Sequence, residues 1–164
     1  MNAHVDVQIA VEEPLVPESG DIAIWVRRAV QAAGRTDEAE VSVRVVGAAE
    51  MQQLNSEFRE QDKPTNVLSF PAGSIEGLPP DAEMPLGDIV VCATVVRGEA
   101  EEQGKAVADH WAHMMVHGTL HLLGFDHEND SDAAVMEKLE IQILADYGIA
   151  NPYSDSVGES PQET

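Results

Sequence analysis

The sequence predicts an α+β fold in which a mixed four-stranded sheet packs against about five helices, with a metal-binding helix in the C-terminal half. Segments in which apolar and polar residues alternate, as in half-buried strands, are interleaved with segments whose apolar residues recur at helical spacing. The chain has 164 residues, 43% of them hydrophobic, which suits one folded domain over residues 1–150.

The first half of the chain predicts three strands and two helices. Residues 5–10, 41–46 and 65–70 have strand patterns, and Gly47 ends the second of them. A helix follows Asp21, a candidate N-cap, and ends at Gly34. Its apolar residues at helical spacing are Ile22, Trp25, Val26, Ala29, Val30 and Ala33. Residues 48–59 predict a second helix, with Met51, Leu54 and Phe58 on its inner face.

The second half predicts one more strand and three helices. Residues 71–85 are rich in proline, glycine and acids, which indicates a mobile surface loop. Residues 86–92 read as a deeply buried strand, and helices are expected over 94–103, 105–123 and 131–147. Residues 151–164 form a polar tail without periodicity, which we expect to be disordered.

Composition restricts the class of protein. Thirty acids against nine bases give a net charge of −21, which repels nucleic acid at long range. A local pocket could still hold a phosphate against that background. The single cysteine, Cys92, excludes an internal disulfide, and its apolar strand predicts an inert core thiol. With no signal peptide or membrane-spanning run in the sequence, we expect a cytoplasmic protein.

The most informative segment is 117–127, where His117, His121 and His127 stand at offsets 0, 4 and 10. Residues four apart share one face of a helix, so the first two rings can point at a common ion. Gly124 can turn the chain so that His127 approaches from another side. Three imidazoles leave one tetrahedral position open, as in a catalytic zinc site, although nickel, copper, cobalt or iron would also accept these ligands.

Other residues near this segment are also candidate ligands. His113, His117 and His121 on one continuous face would span roughly 12 Å at about 1.5 Å per residue, too far for one ion. His113 is therefore expected to pack against or orient a ligand, and His110 to be exposed or to cap the helix. Asp126 suits a turn or a proton acceptor, and Cys92 as a fourth ligand would close the open position.

The same segment matches the zinc-peptidase pattern H-E-x-x-H-x-x-G-x-x-H at every position but one. Gly118 stands where a peptidase carries its general-base glutamate. A metallopeptidase-like hydrolase therefore remains an alternative, but one that lacks its base.

Polar residues around the third strand offer a second candidate site. Arg59 and Lys63 lie between a helix end and this strand, and a guanidinium suits a phosphate better than an ammonium does. Asn66 and Ser69 are expected to find partners within the sheet. Asp88 most simply ends a turn, with a bond to a ligand histidine as the weaker alternative.

Three segments together resemble the YbeY family of bacterial endoribonucleases. They are Phe58-Arg59 with residues 62–71, then residues 86–89, then the histidine segment 117–127. The one departure noted in the histidine segment is Phe125, where a tyrosine is usual.

The resemblance implies a single-strand-specific, metal-dependent endoribonuclease that acts in ribosomal RNA maturation and ribosome quality control. It implies His117, His121 and His127 as metal ligands, with zinc favoured, and Arg59 as the functionally important arginine. It further implies single-stranded RNA and small-subunit ribosomal RNA as substrates, and a ribosomal protein or assembly GTPase as partner. A ribosome-assembly factor with a structural metal is the remaining alternative. The attacking group, whether water or the ribose 2′-hydroxyl, stays open.

Overall fold

The structure, a computed structural model, describes residues 3–13, 15–34, 39–71, 84–125, 130–149 and 151–152. Within these ranges it contains four strands and five helices, as the sequence predicts. The strands are β1 (Ala3–Ile9), β2 (Ala39–Val46), β3 (Val67–Pro71) and β4 (Met84–Cys92). The helices are α1 (Ser19–Ala32), α2 (Ala48–Arg59), α3 (Ala93–Gln103), α4 (Val107–Leu122) and α5 (Asp130–Ala145).

Most element boundaries lie within about two residues of the sequence prediction, and two differences affect how residues are assigned. Asp21 is not the N-cap of α1 but lies in its first turn, because the helix begins at Ser19 with Glu18 at the cap position. The predicted loop 71–85 is shorter, since Pro71 pairs in β3 and Met84 opens β4. The rest of that loop, and the predicted tail apart from Asn151 and Pro152, lie outside the described residues.

The sheet is mixed and has the strand order β1-β2-β4-β3. β1, β2 and β4 run parallel, while β3 pairs antiparallel with β4 at one edge. In β2, Val41, Val43 and Val45 are buried while Ser42 between them is exposed, as the pleat requires. The same alternation in β3 directs successive side chains to opposite faces of the sheet.

Helices cover both faces of the sheet. α1 and α4 pack on the face of Val43, Ile89 and Val91, and α5 packs on the outer side of α4. α2 covers the opposite face, where Leu68 and Cys92 are buried with residues of that helix. Cys92 is thus a buried core thiol, as predicted, and burial raises its pKa. Its place away from α4 disfavours the idea of a fourth metal ligand.

No helix within the described ranges is both long enough and apolar enough to cross a membrane.

Candidate functional site

A cleft of about 300 Å³ lies where the end of α2 and the edge strand β3 face the C-terminal half of α4. Its lining residues are Arg59, Asn66, Val67, Leu68, Ser69, Pro71, His117 and His121. The fold therefore joins the two candidate sites of the sequence, the arginine before β3 and the histidines of α4, in one cavity.

His117 and His121 lie one helical turn apart and are both partly buried. Their ring centroids are 4.8 Å apart, so the two imidazoles share one wall of the cleft. Gly124 ends the helix with φ +103°, as predicted, and its N–H donates to the His121 carbonyl. His127 and Asp126 lie outside the described residues. Phe125 packs beside Leu120 and Met136 in the core between α4 and α5.

Glu140 is the residue that the sequence analysis missed. This α5 carboxylate is 0% exposed, with one oxygen 2.6 Å from His117 Nδ1 and the other 3.2 Å from His113 Nε2. A buried carboxylate is costly unless it is hydrogen-bonded, and here it bonds to two imidazoles. A sequence pattern could have predicted that Glu140 faces inward. It follows Met136 by four residues and precedes Ile143 by three, on the inward face of the helix.

The bond to Glu140 also fixes the tautomer of His117. An ionised carboxylate can only accept, so Nδ1 carries the proton and Nε2 has the lone pair with which imidazoles bind metals. A divalent ion therefore fits the donor set on the cleft side, made of the His117 and His121 rings.

A second group of donors could also hold an ion. One atom each of His113, His117 and Glu140 lie within 4.8 Å of one another. An ion at this place would replace the hydrogen bonds between Glu140 and the two rings. His113 is buried and bonds to Glu140, which agrees with its predicted packing role.

Arg59 is held in place before any ligand binds. One guanidinium nitrogen donates to the Ser69 carbonyl over 2.9 Å, and the other donates to the Phe58 carbonyl over 3.2 Å. The guanidinium carbon lies 4.9 Å from the centre of the Phe70 ring, a cation–π contact. Arg59 lines the cleft, and a guanidinium has five N–H groups, so donors beyond these two bonds remain for a phosphate. Lys63 is exposed, and it is not among the residues that line the cavity.

Asn66 and Ser69 are hydrogen-bonded, but mainly to helices α3 and α4 rather than within the sheet as expected, and both also line the cleft. Ser69 Oγ donates to the Gly118 carbonyl over 2.8 Å, which ties β3 to α4. Asn66 Nδ2 donates to the Glu99 carboxylate, while its side-chain oxygen accepts from the Val67 N–H.

His110 corrects a prediction. It is not exposed or capping but 3% exposed, with Nε2 2.9 Å from Glu99. This contact could not be predicted, because His110 alone gives no sign that an acid of α3 faces it. Burial lowers the pKa of His110, while the Glu99 bond opposes that shift. His110, Glu99 and Asn66 form a hydrogen-bonded chain that reaches the cleft wall.

Asp88 does not face the described ligand candidates, His117 and His121. It is exposed and lines a separate groove with Asp6 and Ser42, whereas its neighbour Ile89 faces α4. The pleat of β4 turns it away from the histidines of α4, which disfavours the weaker alternative for this residue.

Known proteins similar to this chain share most of its length. The family model described as "Endoribonuclease YbeY" matches residues 10–148. A curated protein of that name from Alcanivorax borkumensis is 50% identical over 157 residues, which are 95% of this chain and 89% of that protein. The solution structure of a Thermotoga maritima protein is similar, with a TM-score of 0.55 and 25% identity. It covers 96% of this chain and 99% of that chain.

Proposed function

Because the chain belongs to the YbeY family of endoribonucleases, we propose that it is a metal-dependent endoribonuclease that cuts unpaired RNA. The observation that supports this most directly is the shared cleft, which Arg59 lines together with His117 and His121. A phosphodiester suits such a site, because a guanidinium can bind its oxygens bidentately while a Lewis acid polarises them.

In this proposal Arg59 binds the scissile phosphate. Its contacts to the Ser69 carbonyl and the Phe70 ring hold the guanidinium in one orientation before substrate arrives. A preorganised cation offsets the negative charge that grows on the phosphoryl oxygens in the transition state, without the cost of ordering it then.

The metal is proposed to bind on the cleft side of α4. His117 and His121 would hold it with His127 as the third ligand, and Glu140 would orient His117 from behind. We favour this place over the His113–His117–Glu140 group because Glu140 is fully buried, so an ion there would be closed off from substrate. Zinc suits imidazole donors, and other divalent transition metals are accepted by the same set. Such an ion supplies Lewis-acid polarisation of a phosphoryl oxygen and of water.

The peptidase alternative meets a physical objection. Among the described residues that line the cleft there is no carboxylate. A Cβ added at Gly118 would lie 3.1 Å from Val67 and 3.3 Å from Ile89, so this position faces the sheet. A glutamate there would collide with the core before it could serve as a base.

We further propose that the protein acts in the cytoplasm on small-subunit ribosomal RNA, in its maturation and in ribosome quality control. The net charge of −21 opposes long-range attraction to RNA. A ribosomal protein or assembly GTPase that delivers the enzyme to its substrate would solve this difficulty.

Arg59→Ala tests the proposal. We expect it to lower the cleavage rate of a short unstructured RNA by about 100-fold or more, as loss of one preorganised transition-state donor does. The matched control is Lys63→Ala, which removes the same charge four residues away, outside the cleft lining. It should cleave at nearly the wild-type rate. Metal content and thermal unfolding are measured for both.

The outcome also decides whether the protein is only an assembly factor with a structural metal. Loss of cleavage in Arg59→Ala with fold and metal intact excludes a purely structural role. Cleavage at the wild-type rate would show that Arg59 does not hold the phosphate.

A further inference from the structure

We propose that Phe58, supported by Phe70, is a stacking site for one unpaired nucleobase next to the phosphate-binding cleft. The inference rests on the proposed function. It adds a site for a base of the RNA strand at the point where that strand leaves the cleft.

The first observation is the exposure of Phe58, which is 51% although the residue is large and apolar, so the prediction that it lies on the inner face of α2 is wrong. Its ring centroid lies 5.4 Å from that of Phe70, with an interplanar angle of 72°. Rings at such an angle meet edge to face, so they do not stack on each other. Phe58 is thus braced by Phe70 while about half of its surface meets solvent.

The second observation is the position of this pair. Arg59 directly follows Phe58 in the chain, and its guanidinium lies over the Phe70 ring. The same guanidinium lines the cleft, so one residue contacts both the proposed phosphate site and the aromatic pair. Single exposed apolar residues are common and need no explanation. Phe58 differs from Val135, which is equally exposed at 52% but lies on α5.

The charges around Phe58 select a base rather than a phosphate. Phe58 and Phe70 border a groove of about 540 Å³ on the sheet, which also contains the carboxylates of Asp6, Glu50 and Asp88. The groove's one arginine, Arg44, is already paired with Glu50 at 2.8 Å. The carboxylates of this groove repel the phosphates of the RNA backbone, so we expect that backbone to stay near Arg59. An uncharged base escapes that repulsion and gains stacking energy on an aromatic ring, which any of the four bases can provide.

The test measures binding and cleavage of a short unstructured RNA by Phe58→Ala, Phe58→Leu and Phe58→Trp. Phe58→Leu keeps an apolar contact with Phe70 but has no ring on which to stack. We expect the alanine and leucine variants to lose affinity by about 5- to 150-fold, the range for one base–aromatic stack. Their kcat at saturating RNA should change less than their KM. Phe58→Trp should bind at least as well as wild type, and RNA should quench its added fluorescence.

Val135→Ala is the matched control and should bind RNA like wild type. Wild-type affinity in both Phe58→Ala and Phe58→Leu would overturn the stacking site. Weak binding by Phe58→Ala alone, with Phe58→Leu unchanged, would also overturn it, because Phe58 would then only pack. Thermal unfolding of each variant shows that the fold is retained. If wild-type protein bound this RNA without cutting it, the proposed function would fail. The affinities of the Phe58 variants would still test the stacking site.

Discussion

Gly118 is a point of close approach between α4 and the sheet. A Cβ there would meet Val67 at 3.1 Å, Ile89 at 3.3 Å and the Ser69 hydroxyl at 3.4 Å. The missing side chain lets the helix approach β3 closely enough for the Gly118 carbonyl to accept the Ser69 hydroxyl. From the sequence, this glycine indicates only that a general-base glutamate is missing, whereas the structure shows its role in packing.

Gly118→Ala is expected to destabilise the fold by about 1 kcal/mol. Overpacking a core costs about 1–3 kcal/mol, and the higher helix propensity of alanine returns about 1 kcal/mol. Gly98→Ala in the middle of α3 is the control, because nothing lies within 4 Å of its added Cβ. That variant should be more stable by about 0.5–1 kcal/mol. Denaturant unfolding of both checks the signs, and equal stabilisation would mean that the helix–sheet contact yields without cost.

Single residues were predictable where local spacing carried the information. The four-residue interval of His117 and His121 sets one helical face, and the structure brings their rings together. Glu140 and the partner of His110 were not found, since each contact joins two different helices. Spacing within one helix cannot show which residues of another helix will face it.

At the level of elements, α5 supports α4 through one buried acid. Glu140→Gln should weaken metal binding by about tenfold or more, because the imidazole ligand loses the carboxylate that orients it. The matched control is Glu137→Gln, the same change of charge at a less buried place on α5. Competition with a chromogenic chelator measures the affinity of each variant. Unchanged affinity in Glu140→Gln would contradict this role, and complete loss of binding would indicate that the ion lies between His113, His117 and Glu140.

The contact between α3 and α4 should make stability depend on pH. Burial lowers the pKa of His110 in the folded protein, while the unfolded chain keeps an ordinary value of about 6.5. Above that pH His110 is neutral in both the folded and the unfolded state, and its contribution to the free energy of unfolding is complete. As pH falls through about 6.5, the unfolded chain binds the proton more readily, so stability decreases.

His110→Gln should therefore flatten the fall in stability between about pH 7 and pH 5. Unfolding free energies from denaturant titrations at each pH give the two curves. His4→Gln, at an exposed position, should leave the wild-type slope unchanged. Parallel curves for wild type and His110→Gln would show that His110 does not drive the effect.

For the whole molecule, the order of strands and helices followed from periodicity, because alternation and helical spacing are local properties of the sequence. The strand order β1-β2-β4-β3 did not follow from it, since pairing β2 with β4 depends on contacts across α2 and β3. That pairing, with β3 at the edge, places Arg59 opposite the histidines of α4. The site is thus a product of topology as much as of motif.

The charge of the whole molecule also limits what sequence can predict. A value of −21 argued mildly against an RNA substrate, and the resemblance to a nuclease family argued for one. The structure is consistent with both, because the cleft contains a guanidinium and two imidazoles while the neighbouring sheet groove contains three carboxylates.

The most direct test is cleavage of a defined unpaired RNA by the purified protein, before and after removal of metal, with metal content measured in the same samples. We expect cleavage to fall in proportion to bound metal and to return when zinc or another suitable divalent ion is restored. Undiminished cleavage by protein that elemental analysis shows to be free of metal would contradict the account.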